Sequence, residues 1–94
     1  MQLKIAREAV QDLADIWDAI AESDVQAADR VLRSLGVAME RLAEIPEMGR
    51  TRPELMAELR SWVVGKYLVF YGIVGDELRV YRVLHGRRDL DSLF

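Results

Sequence analysis

The sequence of 94 residues predicts an α+β fold in two layers: an N-terminal strand, an antiparallel helical hairpin packed on a mainly antiparallel β-sheet, and a short C-terminal tail. Two observations lead to this prediction. Apolar residues recur at helical spacing through the first half of the chain, whereas the second half contains short apolar runs divided by glycine turns. The expected order of elements is β-α-α-β-β-β. The length suits one domain, to which we assign residues 1–94.

A strand and a first helix are expected at the start of the chain. Residues 2–5 alternate between apolar and polar side chains, which is typical of a half-buried strand. From about Arg7 the apolar spacing becomes helical, and the opposite face is acidic. The apolar stripe of this helix consists of Ala9, Leu13, Ile16, Trp17 and Ile20.

A second helix is predicted directly after the first. Ser23 followed by Gln26 is a capping-box pattern, so we expect the helix to begin at Ser23. It should end near Ile45, because Pro46 follows and disfavours helical backbone in the residue before it. Gly36 lies inside this helix and costs up to ~1 kcal/mol relative to alanine. Two amphipathic helices with so short a connection form an antiparallel hairpin.

A loop and three strands are predicted in the second half. Residues 46–56 contain both prolines of the chain and a glycine, so they are expected to form a loop. Strand patterns follow at 59–64, 67–74 and 78–84, and Gly75-Asp76 is a hairpin turn signal between the last two. The middle strand is apolar on both faces. The helical hairpin can cover one face, and the other is a candidate partner surface.

Composition limits the classes of function. The chain has no cysteine, which excludes disulfides and thiolate metal sites. It shows no signal peptide and no apolar stretch long enough for a membrane, so we expect a cytoplasmic protein with no membrane partner. The net charge of −3 argues against direct, sequence-specific nucleic-acid binding by this chain alone, because phosphate contacts require a strongly basic surface.

The richest candidate site lies in residues 79–94, where the single histidine, a glycine and two adjacent arginines fall together. Imidazole titrates near neutral pH, so His85 suits acid–base chemistry. The plainer alternative is a histidine at a strand end that hydrogen-bonds to backbone or to a carboxylate. One histidine without cysteine offers no metal-ligand spacing, and we expect neither a metal nor a cofactor.

Arginines offer a second candidate site, because the guanidinium group binds phosphate or carboxylate with two parallel hydrogen bonds. Arg82 alternates with Tyr81 and Val83 and is expected on the face opposite theirs. The alternative is a set of ordinary ion pairs with nearby carboxylates, worth ~0–1 kcal/mol each. Arg50 and Arg52 flank the loop and are expected to be solvated. The four arginines of the candidate anion site are Arg60, Arg82, Arg87 and Arg88.

Short segments spread over nearly the whole chain carry a resemblance to a known family. They are A-x-x-D-L-x-x-I-W from Ala9 to Trp17, L-x-x-I-P-E-M-G-R from Leu42 to Arg50, R-P-E-L from Arg52 to Leu55, L-R-S from Leu59 to Ser61, the strand from Tyr67 to Tyr71, and V-L-H-G-R-R-D-L from Val83 to Leu90. In this order they resemble the RelE/ParE superfamily of toxins from bacterial type II toxin–antitoxin systems, and most closely its ParE branch.

The resemblance implies a helical hairpin on an antiparallel sheet and a toxin that a cognate antitoxin holds inactive. ParE-like members are known for poisoning DNA gyrase, in systems that also serve plasmid stabilisation, and such a protein cuts no bond itself. Under this interpretation the target- or antitoxin-binding residues are Arg60, Arg82, His85, Arg87, Arg88, Leu93 and Phe94.

Two alternatives remain open at this point. The RelE-like alternative is a ribosome-dependent, metal-independent messenger-RNA endonuclease. In it His85 is the acid, Glu54 or Glu58 is the base, and Arg60 and Arg82 neutralise the developing phosphate charge. The chain departs from the lysine-rich nuclease pattern, since its only lysines are Lys4 and Lys66. The second alternative is a toxin-like interaction module that is no longer toxic.

Overall fold

The computed structural model describes residues 1–87 of the chain. The elements in order are β1 (Gln2–Ile5), α1 (Arg7–Ala21), α2 (Val25–Glu44), a 3₁₀ turn (Pro46–Met48), β2 (Arg50–Thr51), β3 (Arg60–Val64), β4 (Tyr67–Val74) and β5 (Glu77–His85). The predicted α+β fold with two layers is confirmed. The structure adds one element to the predicted order, because a two-residue strand, β2, lies inside the segment expected to be a loop.

The sheet has five strands in the order β1-β5-β4-β3-β2. β1 pairs with β5 in parallel, and the other neighbours are antiparallel. Gly65 and Gly75 open the two hairpin turns with φ values of 59° and 62°, a conformation that glycine adopts at little cost. The turn expected at Gly75-Asp76 is therefore confirmed. β5 lies between the first strand of the chain and β4, so it joins the two halves of the sequence.

The helical hairpin differs from the prediction at one point, the start of α2. Asp24, not Ser23, caps this helix, and its Oδ1 atom accepts a hydrogen bond of 3.0 Å from the Ala27 N–H. The Ser23 N–H instead donates to the Ile20 carbonyl at 3.1 Å, which closes the end of α1. Ser23 and Asp24 are both residue types that cap helices well. Here the Ser23 backbone N–H ends α1, and the Asp24 side chain caps the start of α2.

The main core lies between the helices and the sheet. Its buried residues are Ala9, Leu35, Met39, Leu42, Ala43, Val69, Tyr71, Leu78, Val80 and Val83. A smaller cluster occupies the opposite face of the sheet, where Leu59, Phe70 and Leu84 are buried and Leu55 packs against them. The segment between β2 and β3 thus covers part of the face that the sequence offered as a partner surface.

A β-bulge interrupts the alternation of β5. Phe70 pairs with Arg82 and the next residue of β4, Tyr71, pairs with Val80, so Tyr81 has no partner on β4. Tyr81 packs against the smaller cluster, whereas Val83 belongs to the main core. The expectation that Tyr81 and Val83 share a face is therefore wrong, because the extra residue shifts the alternation by one position.

Candidate functional site

Arg82 is bound inside the fold by a carboxylate of α1. Its Nε and Nη2 atoms each donate to an oxygen of Asp12 at 2.8 Å, and the Val83 N–H donates to Asp12 Oδ2 at 3.0 Å. Asp12 is 8% exposed, and its hydrogen bonds raise the pKa of the Arg82 guanidinium. The Asp12–Arg82 bridge uses the edge of the guanidinium formed by Nε and Nη2, so that edge is not available to a phosphate, and it fastens α1 to the sheet.

Arg60 takes part in a second internal arrangement, which we call the Gly49 clamp: Arg60, Tyr71, Gly49 and Pro46. The Tyr71 hydroxyl accepts from the Gly49 N–H at 2.8 Å and donates to the Pro46 carbonyl at 2.5 Å. Arg60 Nη1 donates to the Gly49 carbonyl at 2.7 Å. Burial raises the pKa of the Tyr71 hydroxyl, which keeps it neutral and able to donate. The clamp holds the turn between α2 and β2 against the sheet.

Arg52 is a structural residue that the sequence analysis missed. It was expected to be solvated, yet its side chain is only 15% exposed. Its Nε donates to Glu54 at 2.8 Å, its Nη1 donates to the Ser61 hydroxyl at 3.1 Å, and its guanidinium carbon lies 5.8 Å from the centre of the Phe70 ring. The hydrogen bond from Arg52 lowers the pKa of Glu54, which makes that carboxylate a poorer general base. The R-x-E spacing of Arg52 and Glu54 was the sequence signal that could have indicated this ion pair.

His85 ends β5 and makes two local contacts. Its ring meets the Tyr67 ring edge-on with 5.7 Å between centroids, and its Nδ1 atom accepts from the Arg87 N–H at 3.2 Å. It lines a hollow of about 260 Å³ together with Lys66, Gly86 and Arg87. This is the plainer of the two expected environments, a histidine at a strand end bonded to backbone, although the ring stays accessible.

The residues of the nuclease hypothesis lie in different places. Glu58 and Arg60 line a pocket of about 350 Å³ beside Gly72, and His85 is not part of it. Arg82 is bound elsewhere, to Asp12 of α1. Within residues 1–87, therefore, the proposed acid, base and arginines are not brought into one pocket. Arg88, Leu93 and Phe94, also named as contact residues, lie outside the described residues.

Across residues 1–87, no group of three or more histidine, aspartate or glutamate side chains is placed to hold a metal ion. In the same part of the chain, neither helix is long and apolar enough to cross a membrane.

Comparison with known families decides which family the chain is part of. The model of the ParE toxin of type II toxin–antitoxin systems, parDE, matches residues 3–90. The chain belongs to the ParE toxin family. Toxin ParE1 of Mycobacterium tuberculosis is 36% identical over 81 residues, with 84% of this chain and 83% of that protein covered. Toxin ParE1 of Caulobacter vibrioides is 36% identical over 83 residues, covering 87% and 85%.

Two further similarities extend the comparison. Toxin RelE2 of Caulobacter vibrioides is 34% identical over 80 residues, covering 85% of this chain and 89% of that one. A solved structure described as the chromosomal ParDE TA system from P. aeruginosa superposes with a TM-score of 0.80 at 20% identity, covering 90% of this chain and 95% of that chain. At that identity the superposition shows a shared fold alone.

Proposed function

We propose that this chain is a toxin that inhibits DNA gyrase without cutting a bond itself, and that a cognate antitoxin neutralises it in the cytoplasm. Membership of the ParE toxin family supports the toxin class. One observation favours binding over catalysis: Arg60 and Arg82, needed to neutralise phosphate in a nuclease, are both held in the fold, Arg60 by its Nη1 atom on the Gly49 carbonyl and Arg82 by its Nε and Nη2 atoms on Asp12. Both side chains therefore have a role in the fold, which a direct contact with a target would have to share.

The proposed target contact is the end of β5. His85 is accessible there, and Arg87 is exposed next to it. Cationic groups on the rim of an interface mainly speed association and select partners, which suits recognition of an acidic surface. Arg88, Leu93 and Phe94 extend this surface on the basis of the sequence alone. Direct contacts by Arg60 and Arg82 stay a prediction.

The deciding experiment is a supercoiling assay with purified gyrase. We expect the chain to inhibit supercoiling, or to promote gyrase-dependent DNA cleavage, in proportion to its concentration. Uninhibited supercoiling at saturating chain, together with cleavage of ribosome-bound messenger RNA, would overturn the proposal in favour of the nuclease. Normal growth of cells that overproduce the chain would instead support an inert interaction module.

His85→Ala separates the two toxic mechanisms. A contact residue at the rim contributes little by itself, so this variant should keep most of the toxicity. In a nuclease the same change removes the general acid and should lower the rate by about 10²-fold or more. Growth arrest is measured by plating cells after induction, and Arg33→Ala, an exposed change on α2, serves as the control for expression.

The antitoxin part of the proposal has its own test. The product of the adjoining gene should copurify with the chain and restore both growth and gyrase activity. If that product neither binds nor rescues, the assignment of a neutralising partner fails, even where gyrase inhibition holds.

A further inference from the structure

Backbone contacts hold a small hollow in place at the end of β5. Gly65 opens the turn between β3 and β4 with a φ of 59°, and Tyr67, the first residue of β4, pairs with His85, the last residue of β5. Beyond that pair the Gly86 N–H donates to the Lys66 carbonyl at 2.9 Å, which extends the contact by one residue. The resulting hollow of about 260 Å³ is lined by Lys66, His85, Gly86 and Arg87.

The contacts of His85 determine which of its ring nitrogens carries the proton. Nδ1 accepts a hydrogen bond of 3.2 Å from the Arg87 N–H, so in the neutral imidazole the proton must lie on Nε2. The Tyr67 ring meets the imidazole edge-on with 5.7 Å between centroids, which limits the rotation of the imidazole. His85 is thus a hydrogen-bond donor through Nε2 even when it carries no positive charge.

The side chains that line the hollow offer donors, and their one acceptor, Nδ1 of His85, is already used. Lys66 and Arg87 are exposed, and neither side chain forms an ion pair or a hydrogen bond with residues 1–87. Among the same residues no carboxylate lines the hollow. Two cations and one neutral donor around a single concave surface select an anion as the ligand.

Carboxylates line a different hollow that also includes His85. This second hollow, of about 230 Å³, is lined in part by Asp12 and Asp15 of α1. Asp12 is bound to Arg82, and Asp15 accepts a side-chain hydrogen bond within α1. Neither cation of the first hollow lines the second one, and neither forms an ion pair with these carboxylates. The two cations therefore keep their charge for an external partner.

We propose that the hollow lined by Lys66, His85, Gly86 and Arg87 binds a phosphate group, and that this group belongs to the backbone of the DNA that gyrase holds. A phosphate presents its oxygens in tetrahedral directions, whereas the two oxygens of a carboxylate lie in one plane, so donors around a concave hollow suit the phosphate better. Lysine, arginine and neutral polar side chains make such contacts with nucleic-acid backbones, and these contacts carry no sequence information. The DNA as the source of the phosphate rests on the proposed function.

The net charge of −3 limits where this contact is effective. A single phosphate contact on an acidic chain gives only weak binding to free DNA, because affinity for DNA depends on the number of phosphates neutralised. A toxin that is already bound to gyrase meets the DNA at a high effective concentration, so one contact then adds measurably to the affinity. The hollow therefore favours the complex of gyrase with DNA over gyrase alone.

Inorganic phosphate tests the site on the free chain, without gyrase. In an NMR titration at constant ionic strength, the amide signals of Gly86 and Arg87 and the ring signals of His85 should shift together with one dissociation constant. Lys66→Ala should raise this constant by about 5-fold. Lys4→Ala, a change at the only other lysine, is the matched control and should leave it unaltered. Both lysine side chains are exposed, so both variants should fold normally.

Gyrase with and without DNA identifies the source of the phosphate. A fluorescently labelled chain should bind the complex of gyrase with DNA more tightly than gyrase alone, and the difference should shrink as salt rises. One neutralised phosphate of duplex DNA contributes about −0.9 to the slope of log K against log salt concentration. Lys66→Ala should therefore make that slope less negative by about 0.9, whereas Lys4→Ala should keep the wild-type slope.

The possible outcomes separate the site, its ligand and the proposed function. No response of the hollow to phosphate would overturn the site, and gyrase inhibition would be unaffected. Equal binding to gyrase with and without DNA, weakened equally by Lys66→Ala, would assign the hollow to protein carboxylates and overturn the DNA contact. Tighter binding of ATP than of a short oligonucleotide would assign it to a free nucleotide, again against the DNA contact. Uninhibited supercoiling would overturn the proposed function and the DNA as source, whereas the phosphate titration would still report on the hollow.

Discussion

The middle and the end of β5 differ sharply, although only a few residues separate them. Arg82 in the middle is fixed by two hydrogen bonds to a buried carboxylate. Arg87, just past the end, is exposed, and its side chain forms no hydrogen bond with residues 1–87. In a small domain, a polar residue in a family motif either maintains the fold or contacts a partner, and the motif does not reveal which. Substitutions in the two regions test that division.

The largest effect is expected from Asp12→Ala. This change leaves the guanidinium of Arg82 and the Val83 N–H without their acceptor. Breaking a buried ion pair from one side costs 3–5 kcal/mol, and the 24% exposure of the Arg82 side chain places this case near the lower end, at about 3 kcal/mol. The free energy of unfolding in urea measures it.

Asp15→Ala is the matched control on the same helix. Asp15 is exposed and accepts one hydrogen bond from Gln11, so its loss should change stability by less than about 0.5 kcal/mol. Equal stability losses in the two variants would contradict the assignment of Arg82 to the fold.

Gly49→Ala comes next in size. The added methyl group would lie 2.2 Å from the Tyr71 hydroxyl and 2.7 Å from a ring carbon, so the ring must shift and the Gly49 clamp must open. Overpacking of this kind costs about 2 kcal/mol. Thermal unfolding should show the loss. An unchanged melting temperature would mean that the turn adapts and that the clamp does not hold β2 in place.

Tyr71 should make the stability of the fold sensitive to alkaline pH. Its folded-state pKa is raised above the ordinary value of 10.0 by burial, so the folded chain holds this proton more tightly than the unfolded chain. That contribution is complete below about pH 10 and is lost as pH rises through the folded pKa. The stability difference between the wild type and Tyr71→Phe should therefore narrow above pH 10 in urea titrations; a constant difference would contradict this.

Gly36→Ala should change the stability in the opposite direction and make the protein more stable. No atom lies within 4 Å of the position that its Cβ would take, and the residue is inside α2. Alanine should therefore stabilise the protein by up to about 1 kcal/mol. The pair Gly36→Ala and Gly49→Ala thus compares the same substitution in open and in occupied space, and a loss of stability at position 36 would argue against the described helix packing.

Arg87→Ala is expected to have the smallest effect on the fold. An exposed substitution away from hydrogen bonds and the core usually changes stability by less than about 0.5 kcal/mol. Under the proposed function it should nevertheless weaken gyrase inhibition, because the loss of a charge at the rim slows association. Normal inhibition by a normally folded variant would remove Arg87 from the proposed contact surface.

The architecture could be predicted from the sequence because its signals are local. Helical spacing, the Gly75-Asp76 turn and Pro46 each act within a few residues. β2 and the bulge at Tyr81 escaped prediction because both arise from pairing across the sheet. Ser23 and Asp24 are both suitable N-caps for α2, and the choice between them depended on where α1 ends.

The candidate site was harder to predict for a related reason. Arg82 and its partner Asp12 are 70 residues apart in the sequence, so no local spacing predicts that they form an ion pair. The contacts of Arg52 with Ser61 and Phe70 also depend on how the segment before β3 folds over the sheet. Residue type indicated the chemistry these arginines can perform, whereas only the fold determined whether their donors were still available.

The parallel pairing of β1 with β5 has a consequence for biosynthesis. Gln2 pairs with Glu77 and Ile5 pairs with Val80, so β1 leaves the ribosome well before the strand with which it pairs. Until β5 emerges, β1 lacks its neighbour, Asp12 lacks Arg82, and β4 lacks one of its two partners. Folding that depends on contacts so distant in sequence is delayed until most of the chain has been made. A nascent chain that lacks β5 therefore cannot present the surfaces that β5 helps to form.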